Sequence, residues 1–130
     1  MTTTTLPTRA DTGTDVWVAA CPTNSLIPER GVAVLLPNGD QVALFRTHDN
    51  TLYAIDNIDP FTNAAVLARG IVGDRGGEPT VASPMLKHVF ALRTGICLDN
   101  PDVAQRTHRV REHDGQIHVR AQPDQHHDVR

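Results

Sequence analysis

Seven histidines, two cysteines and one Ser-Pro turn are the residues of this chain with chemistry to offer beyond packing. His113 and His118 flank Asp114-Gly115, a strong signal for a type I′ hairpin. Across such a hairpin they stand diagonally on one face, about 7–8 Å apart at the backbone, so their imidazoles can converge on one ion. A catalytic zinc needs three protein ligands, and no third stands at a matching position. The pair therefore reads as solvated, and His126-His127 falls in a polar terminus. Cys97 has no basic residue beside it to favour a thiolate, which leaves a buried thiol. Ser83 precedes Pro84 and lacks the Gly-x-Ser-x-Gly elbow of a nucleophilic serine. Gly70 to Pro79 is rich in glycine, but it lacks a closing Gly-Lys-Ser/Thr and a strand pattern follows it. With no helix N-terminus behind it, the stretch builds no phosphate cradle and reads as a flexible loop.

Composition narrows the classes further. The 130 residues suit one domain of ordinary size. Aromatic residues are only 4%, so the core must rest on Val, Leu, Ile and Ala. The net charge of −3 gives no basic footprint for nucleic acid. No apolar run approaches the roughly 20 residues of a membrane span, and the N-terminus has no charged-then-apolar signal pattern. Cys21 and Cys97 lie far apart in sequence; with no export signal the default is two reduced thiols in the cytoplasm, and a disulfide between them has no support in the sequence.

The elements that must position these residues are short strands. Residues 1–15 are Thr-rich without apolar periodicity and read as a disordered tail. Val16 to Ala20 reads as a first strand, with Trp17 in the core. Pro22 to Arg30 reads as a loop. Gly31 to Leu36, Gln41 to Arg46 and Leu52 to Ile55 form a three-stranded meander, its first turn a type I′ pair at Asn38-Gly39. Tyr53 reads as core with its hydroxyl at the edge. Ala64 to Arg69 has room for one helical turn. Val81-Ala82 and His88 to Leu92 read as strands joined through Ser83-Pro84, with a turn at Arg93-Thr94-Gly95. The last hairpin puts Val110, Glu112, Ile117 and Val119 on one face and Arg111, His113, Gln116 and His118 on the other. Residues 121–130 read as a flexible tail. Short strands with turn signals every eight to twelve residues indicate an all-β antiparallel sandwich or small barrel over 16–120.

The spacing from Val81 to Pro101 resembles the second ligand loop of a Rieske iron-sulfur domain, where Cys-Pro-x-His precedes a short strand and a Thr-Gly turn. Ser83 and Leu86 stand at the two ligand positions. Upstream, Asn57 and Asp59 stand where that family places Cys-x-His. Such a [2Fe–2S] centre takes two thiolates on one iron and two imidazoles on the other. Asn57, Asp59, Ser83 and Leu86 do not supply that set.

Six segments carry a more specific resemblance. They are Trp17-Val18-x-x-Cys21-Pro22, Gln41 to Arg46, Asp56-Asn57-x-Asp59-Pro60-Phe61, Val66 to Asp74, Gly77-Glu78-Pro79-x-Val81-Ala82-Ser83-Pro84 and Leu92-x-Thr94-Gly95-x-Cys97-Leu98-Asp99. Together they resemble the small-subunit family of assimilatory NAD(P)H-dependent nitrite reductase, from about Trp17 to Val119. One departure is that Val89 precedes Phe90 where family members often place His, and His88 lies one residue earlier.

The resemblance implies a Rieske-like fold without cluster ligands and a chain that binds no cofactor and is inactive alone. It implies a large catalytic subunit as partner, carrying FAD, sirohaem and an iron-sulfur cluster and reducing nitrite to ammonium. The alternatives are a Rieske-type [2Fe–2S] electron carrier and a free-standing Rieske-like binding module. The two loops, retained without their cluster, suggest a docking end at Asp59, Phe61, Arg69, Asp74, Arg75, Lys87 and His88. Something must also replace the cluster as the tie between the loops. The candidates are a link from Asp59 to Arg69 or Arg75, and apolar packing of Ile58, Phe61, Met85 and Leu86.

Overall fold

A strand with four apolar residues in a row, Val42 to Phe45, has to be covered on both faces, and Val42 to Arg46 is buried throughout. The structure, a computed structural model, describes residues 15–124. That strand, β3 (Gln41–Arg46), lies between β2 (Arg30–Leu35) and β4 (Leu52–Asp56) in the expected meander. Val42 and Leu44 point into one core cluster with Leu26, Val34, Ile117 and Val119. Ala43 and Phe45 point the other way, into a second cluster with Ile55, Leu67, Val81, Phe90, Leu92 and Cys97. The period of two along one strand therefore divides the core in two.

The first cluster is closed by β1 (Trp17–Pro22), β11 (Val110–His113) and β12 (Gln116–Arg120), ordered β1-β12-β11. The second is closed by β7 (Ile71–Arg75), β8 (Glu78–Ala82) and β9 (Val89–Ala91). A small pair, β5 (Ile58–Asp59) and β6 (Ala64–Ala65), leads into a single 3-10 turn at Leu67–Arg69. Strand β10 (Thr107–His108) pairs with β4, and one residue later the chain enters β11 of the other sheet. This switch of sheets ties the outer layer to the central one. Every strand pair is antiparallel, so the all-β architecture is as expected.

The last hairpin has the expected register, with Val110 opposite Val119 and Arg111 opposite His118. Its turn has both φ values positive, 53° at Asp114 and 76° at Gly115, as type I′ requires. The Asn38-Gly39 turn differs. Only Gly39 is left-handed, and its N–H donates to the Leu36 carbonyl at 2.9 Å. Pro37 presets the first corner of a type I turn, which the left-handed glycine then completes.

Gly70 to Pro79 is not a loop. It holds β7 and the start of β8, and Gly76-Gly77 (φ 61° and 90°) is their tight turn. Gly, Asp and Pro within these strands hide the alternation that marks them.

Trp17 also departs from its expected place. It lies on the outer face of its sheet, and the Arg111 guanidinium covers its ring at 4.2 Å. Tyr53 is half-buried against the second cluster. At the end of β3, Arg46 is buried and donates to the Leu26 and Thr23 carbonyls at 2.6 and 2.8 Å, which fixes the Pro22 to Arg30 connection. The tail expected at residues 1–15 lies outside the described residues except for Asp15, which pairs with Arg120 at 3.1 Å. At the other end Ala121 and Asp124 hydrogen-bond to Val16 and Thr107, and residues 125–130 lie outside the described range.

Gly95 is required twice over. Its φ is +79°, and a Cβ there would run into the Gln105 carbonyl oxygen. Gly39 has φ +93° but open space around it. Gly39→Ala is therefore expected to lose only the left-handed penalty of about 1–2 kcal/mol. Gly95→Ala should lose distinctly more, because the obstructing atom is backbone. Urea unfolding midpoints of the two variants check the order.

Candidate functional site

Three of the four expected ligand positions are buried, and two of them, Asp59 and Ser83, are hydrogen-bonded to each other. Asp59 is fully buried. Its Oδ1 accepts the Phe61 N–H at 2.8 Å, and its Oδ2 accepts the Ser83 hydroxyl at 2.5 Å. This last bond joins the first loop, after β4, directly to the second loop, after β8. Ser83 is buried as well, and its oxygen accepts the Met85 N–H at 3.3 Å. Its N–H donates to the His88 carbonyl at 2.9 Å, which closes the second loop.

Asn57 is buried and matched on both sides, with Nδ2 to Gln41 Oε1 at 3.1 Å and Oδ1 to the Ala68 N–H at 2.8 Å. Leu86 stands apart, 59% exposed. The donor set is thus an amide and a carboxylate–hydroxyl pair bonded to each other, plus an alkyl group in water. It does not fit a [2Fe–2S] cluster, which needs thiolate and imidazole ligands.

The tie expected from Asp59 to Arg69 or Arg75 is not made. Ser83 and Phe61 take both carboxylate oxygens, Arg75 pairs with Asp99 at 3.6 Å, and Arg69 is exposed. The expected packing of Met85 and Leu86 is also absent, since they are 49% and 59% exposed. Phe61 instead lies flat on His88, centroids 3.8 Å apart and planes 10° apart, and reaches Phe90 of the second cluster at 6.3 Å.

Gln105 was not expected at this site. Its Nε2 donates to the carbonyls of Asp56 and Ile58 at 3.0 and 2.5 Å and so grips the first loop from behind. Nearly fifty residues separate these partners, and no local pattern announces the contact.

Among the expected docking residues, Asp59 cannot meet a partner because its side chain is buried and saturated. Asp74 bonds the Gly77 N–H at 3.0 Å beside the Gly76-Gly77 turn, at the opposite end of the β7–β8 pair from Ser83. Phe61 and His88 are half-buried at the loops. Arg69, Arg75 and Lys87 are exposed.

Elsewhere the geometry offers less. A cleft of about 610 Å³ runs past Glu29, His48, Asp49, Tyr53, Asp74 and Arg93. His113 and His118 have ring centroids 6.0 Å apart, and among the described residues no three His, Cys, Asp or Glu side chains group as a metal site. Cys21 and Cys97 are both free. Burial pushes the Cys21 thiol up against the opposing charge of Arg46, which disfavours a thiolate.

Beside the first loop, Asp56 receives Arg106 Nε at 2.9 Å, and Arg106 also reaches Asp40 at 3.1 Å. The fully buried His108 ring lies 3.9 Å from Asp56 and bonds the Arg120 carbonyl through Nδ1 at 2.9 Å. Burial acts to raise the Asp56 carboxyl, but His108 and Arg106 together outweigh it and hold it below its ordinary value. Among the described residues no helix is long and apolar enough to cross a membrane.

Residues 16–120 match the model of the Rieske-like [2Fe-2S] domain family. The NADH nitrite reductase small subunit of Escherichia coli K12 is 38% identical over 105 residues, covering 80% of this chain and 96% of its own length. The chain belongs to the nitrite reductase small-subunit family of Rieske-like domains. A solved structure of a candidate NADH-dependent nitrite reductase small subunit from Mycobacterium tuberculosis is 52% identical, with a TM-score of 0.79 over 82% of this chain and 95% of that one. The NAD(P)H nitrite reductase large subunit of Klebsiella oxytoca is 39% identical over 103 residues, 79% of this chain but only 11% of that protein. The fold expected from the sequence resemblance is the fold observed.

Two outcomes are expected at this site. Ser83→Ala removes a donor from a buried carboxylate and should lower stability by about 1–3 kcal/mol, read from urea unfolding. The Asp56 carboxyl is lowered in the fold, so its contribution is complete above its unfolded value near about 3.9 and is lost as pH falls through the folded value. Asp56→Asn should therefore have a lower urea midpoint than the parent at neutral pH. The two midpoints should converge only in the acid range below the unfolded carboxylate value.

Proposed function

We propose that this chain is the non-catalytic small subunit of a cytoplasmic NADH-dependent nitrite reductase, serving the reduction of nitrite to ammonium. The observation that carries the reading is similarity to the E. coli small subunit over 80% of this chain and 96% of that one, in a chain where two of the ligand positions, Asp59 and Ser83, are tied to each other. A buried Asp59–Ser83 bond leaves no thiolate or imidazole to hold a cluster, which argues against an electron carrier. The work left to the chain is to bind and support the large subunit, where FAD, sirohaem and an iron-sulfur cluster would carry the electrons.

The Klebsiella protein favours this over a free-standing module. A domain similar to this one forms part of a large subunit there, so the two functions share one polypeptide. The loop end, with Phe61, Arg69, Arg75, Lys87 and His88, is the face we assign to the large subunit.

The test is reconstitution. The chain alone, after anaerobic treatment with iron and sulfide, is expected to hold no stoichiometric iron, show no Rieske-type EPR signal and reduce no nitrite. Added to the large subunit, it should raise NADH-dependent ammonium formation. A cluster signal in the isolated chain would restore the electron-carrier reading.

A further inference from the structure

The second loop holds two apolar side chains in water and is closed at its base by hydrogen bonds. Met85 and Leu86 are 49% and 59% exposed, side by side, with exposed Pro84 before them. The loop is closed at its base by Ser83 N–H to the His88 carbonyl at 2.9 Å and by Val89 N–H to Asp99 Oδ2 at 2.8 Å. Lys87 has φ +65°, a left-handed conformation that a residue with a Cβ adopts only when its surroundings enforce it. Behind the loop, the Phe61–His88 stack leans on Phe90 of the core. Ile71, 75% exposed, stands opposite Ala82 at the root of the loop. Single exposed apolar residues are ordinary, but neighbours on a fixed, strained loop form a patch.

The charge around the patch has one sign. Lys87 and Arg69 are exposed, and among the described residues neither has a carboxylate partner. Asp59 is buried, and Asp99 is engaged by Arg75 and the Val89 N–H. In a chain of net charge −3, this end is basic.

We infer that Met85 and Leu86, fixed by left-handed Lys87 and backed by the Phe61–His88 stack, anchor the chain in an apolar socket rimmed with carboxylates on the large subunit. This rests on the subunit assignment above. The occupant is argued from the Klebsiella chain, where a similar domain and the large subunit are one molecule, and from the basic rim, which selects an acidic surface.

The experiment titrates purified holo large subunit with the full chain by calorimetry at low and high salt, with NMR spectra verifying that each variant is folded. Leu86→Asp and Met85→Ser should each weaken binding about tenfold or more. Lys87→Glu should weaken it at low salt and flatten the salt dependence. Arg111→Ala and His113→Ala, on the outer sheet face, should bind like the parent. Folded Leu86→Asp that matches the parent overturns the anchor, and loss of binding in the Arg111 or His113 variants instead moves the interface to the last hairpin. In both cases the subunit assignment stands, because the parent still binds. A parent that neither binds nor raises activity overturns the assignment and the anchor together.

Discussion

A buried carboxylate has no water to satisfy it, so each of its oxygens must find a donor within the protein. Asp59 finds the Phe61 N–H on its own loop and the Ser83 hydroxyl on the other. The second bond spans the gap that a metal cluster bridges in ligand-bearing members of this fold. Its short length and its burial make it a strong tie, because a charge-assisted bond in a poorly polar interior is weakly screened. The two loops are thereby held in one arrangement by groups that the chain supplies itself.

The rest of the loop end builds on that tie. Asn57 ties the first loop to the Gln41 side chain of β3 and to the Ala68 N–H of the 3-10 turn, and the Gln105 amide holds the Asp56 and Ile58 carbonyls. Once Ser83 is fixed, the second loop closes back on itself at His88, and the stack of His88 on Phe61 joins the loops a second time through apolar contact. Loops held this firmly can keep Met85 and Leu86 in water without collapsing onto the core. A fixed patch loses little conformational freedom on binding, which is what a docking surface requires.

The core explains why this end can be so specialised. Strand β3 sends alternate side chains to two apolar clusters, and the β10–β11 switch joins the outer sheet to the central one. Neither cluster includes Asn57, Asp59, Ser83 or Leu86. Polar residues there are free to serve geometry.

The sequence by itself determined the strands bracketed by clear turn signals, namely the meander and the last hairpin, because apolar runs and turn chemistry are local. It also determined that Asn57, Asp59, Ser83 and Leu86 are the wrong ligand set, since donor chemistry is a property of residue type. It misread β7 and the start of β8, where Gly, Asp and Pro break the alternation and only pairing between the strands reveals them. Hydrophobicity alone puts Trp17 in the core, while strand alternation next to inward Val18 turns it outside under Arg111. Which partner Asp59 takes was decided only by the tertiary structure. Arg69, Arg75 and Ser83 were all available by type, and only folding brings the Ser83 hydroxyl to 2.5 Å. The same holds for Gln105 and for the exposure of Leu86, because burial and long-range contact depend on where distant segments pack.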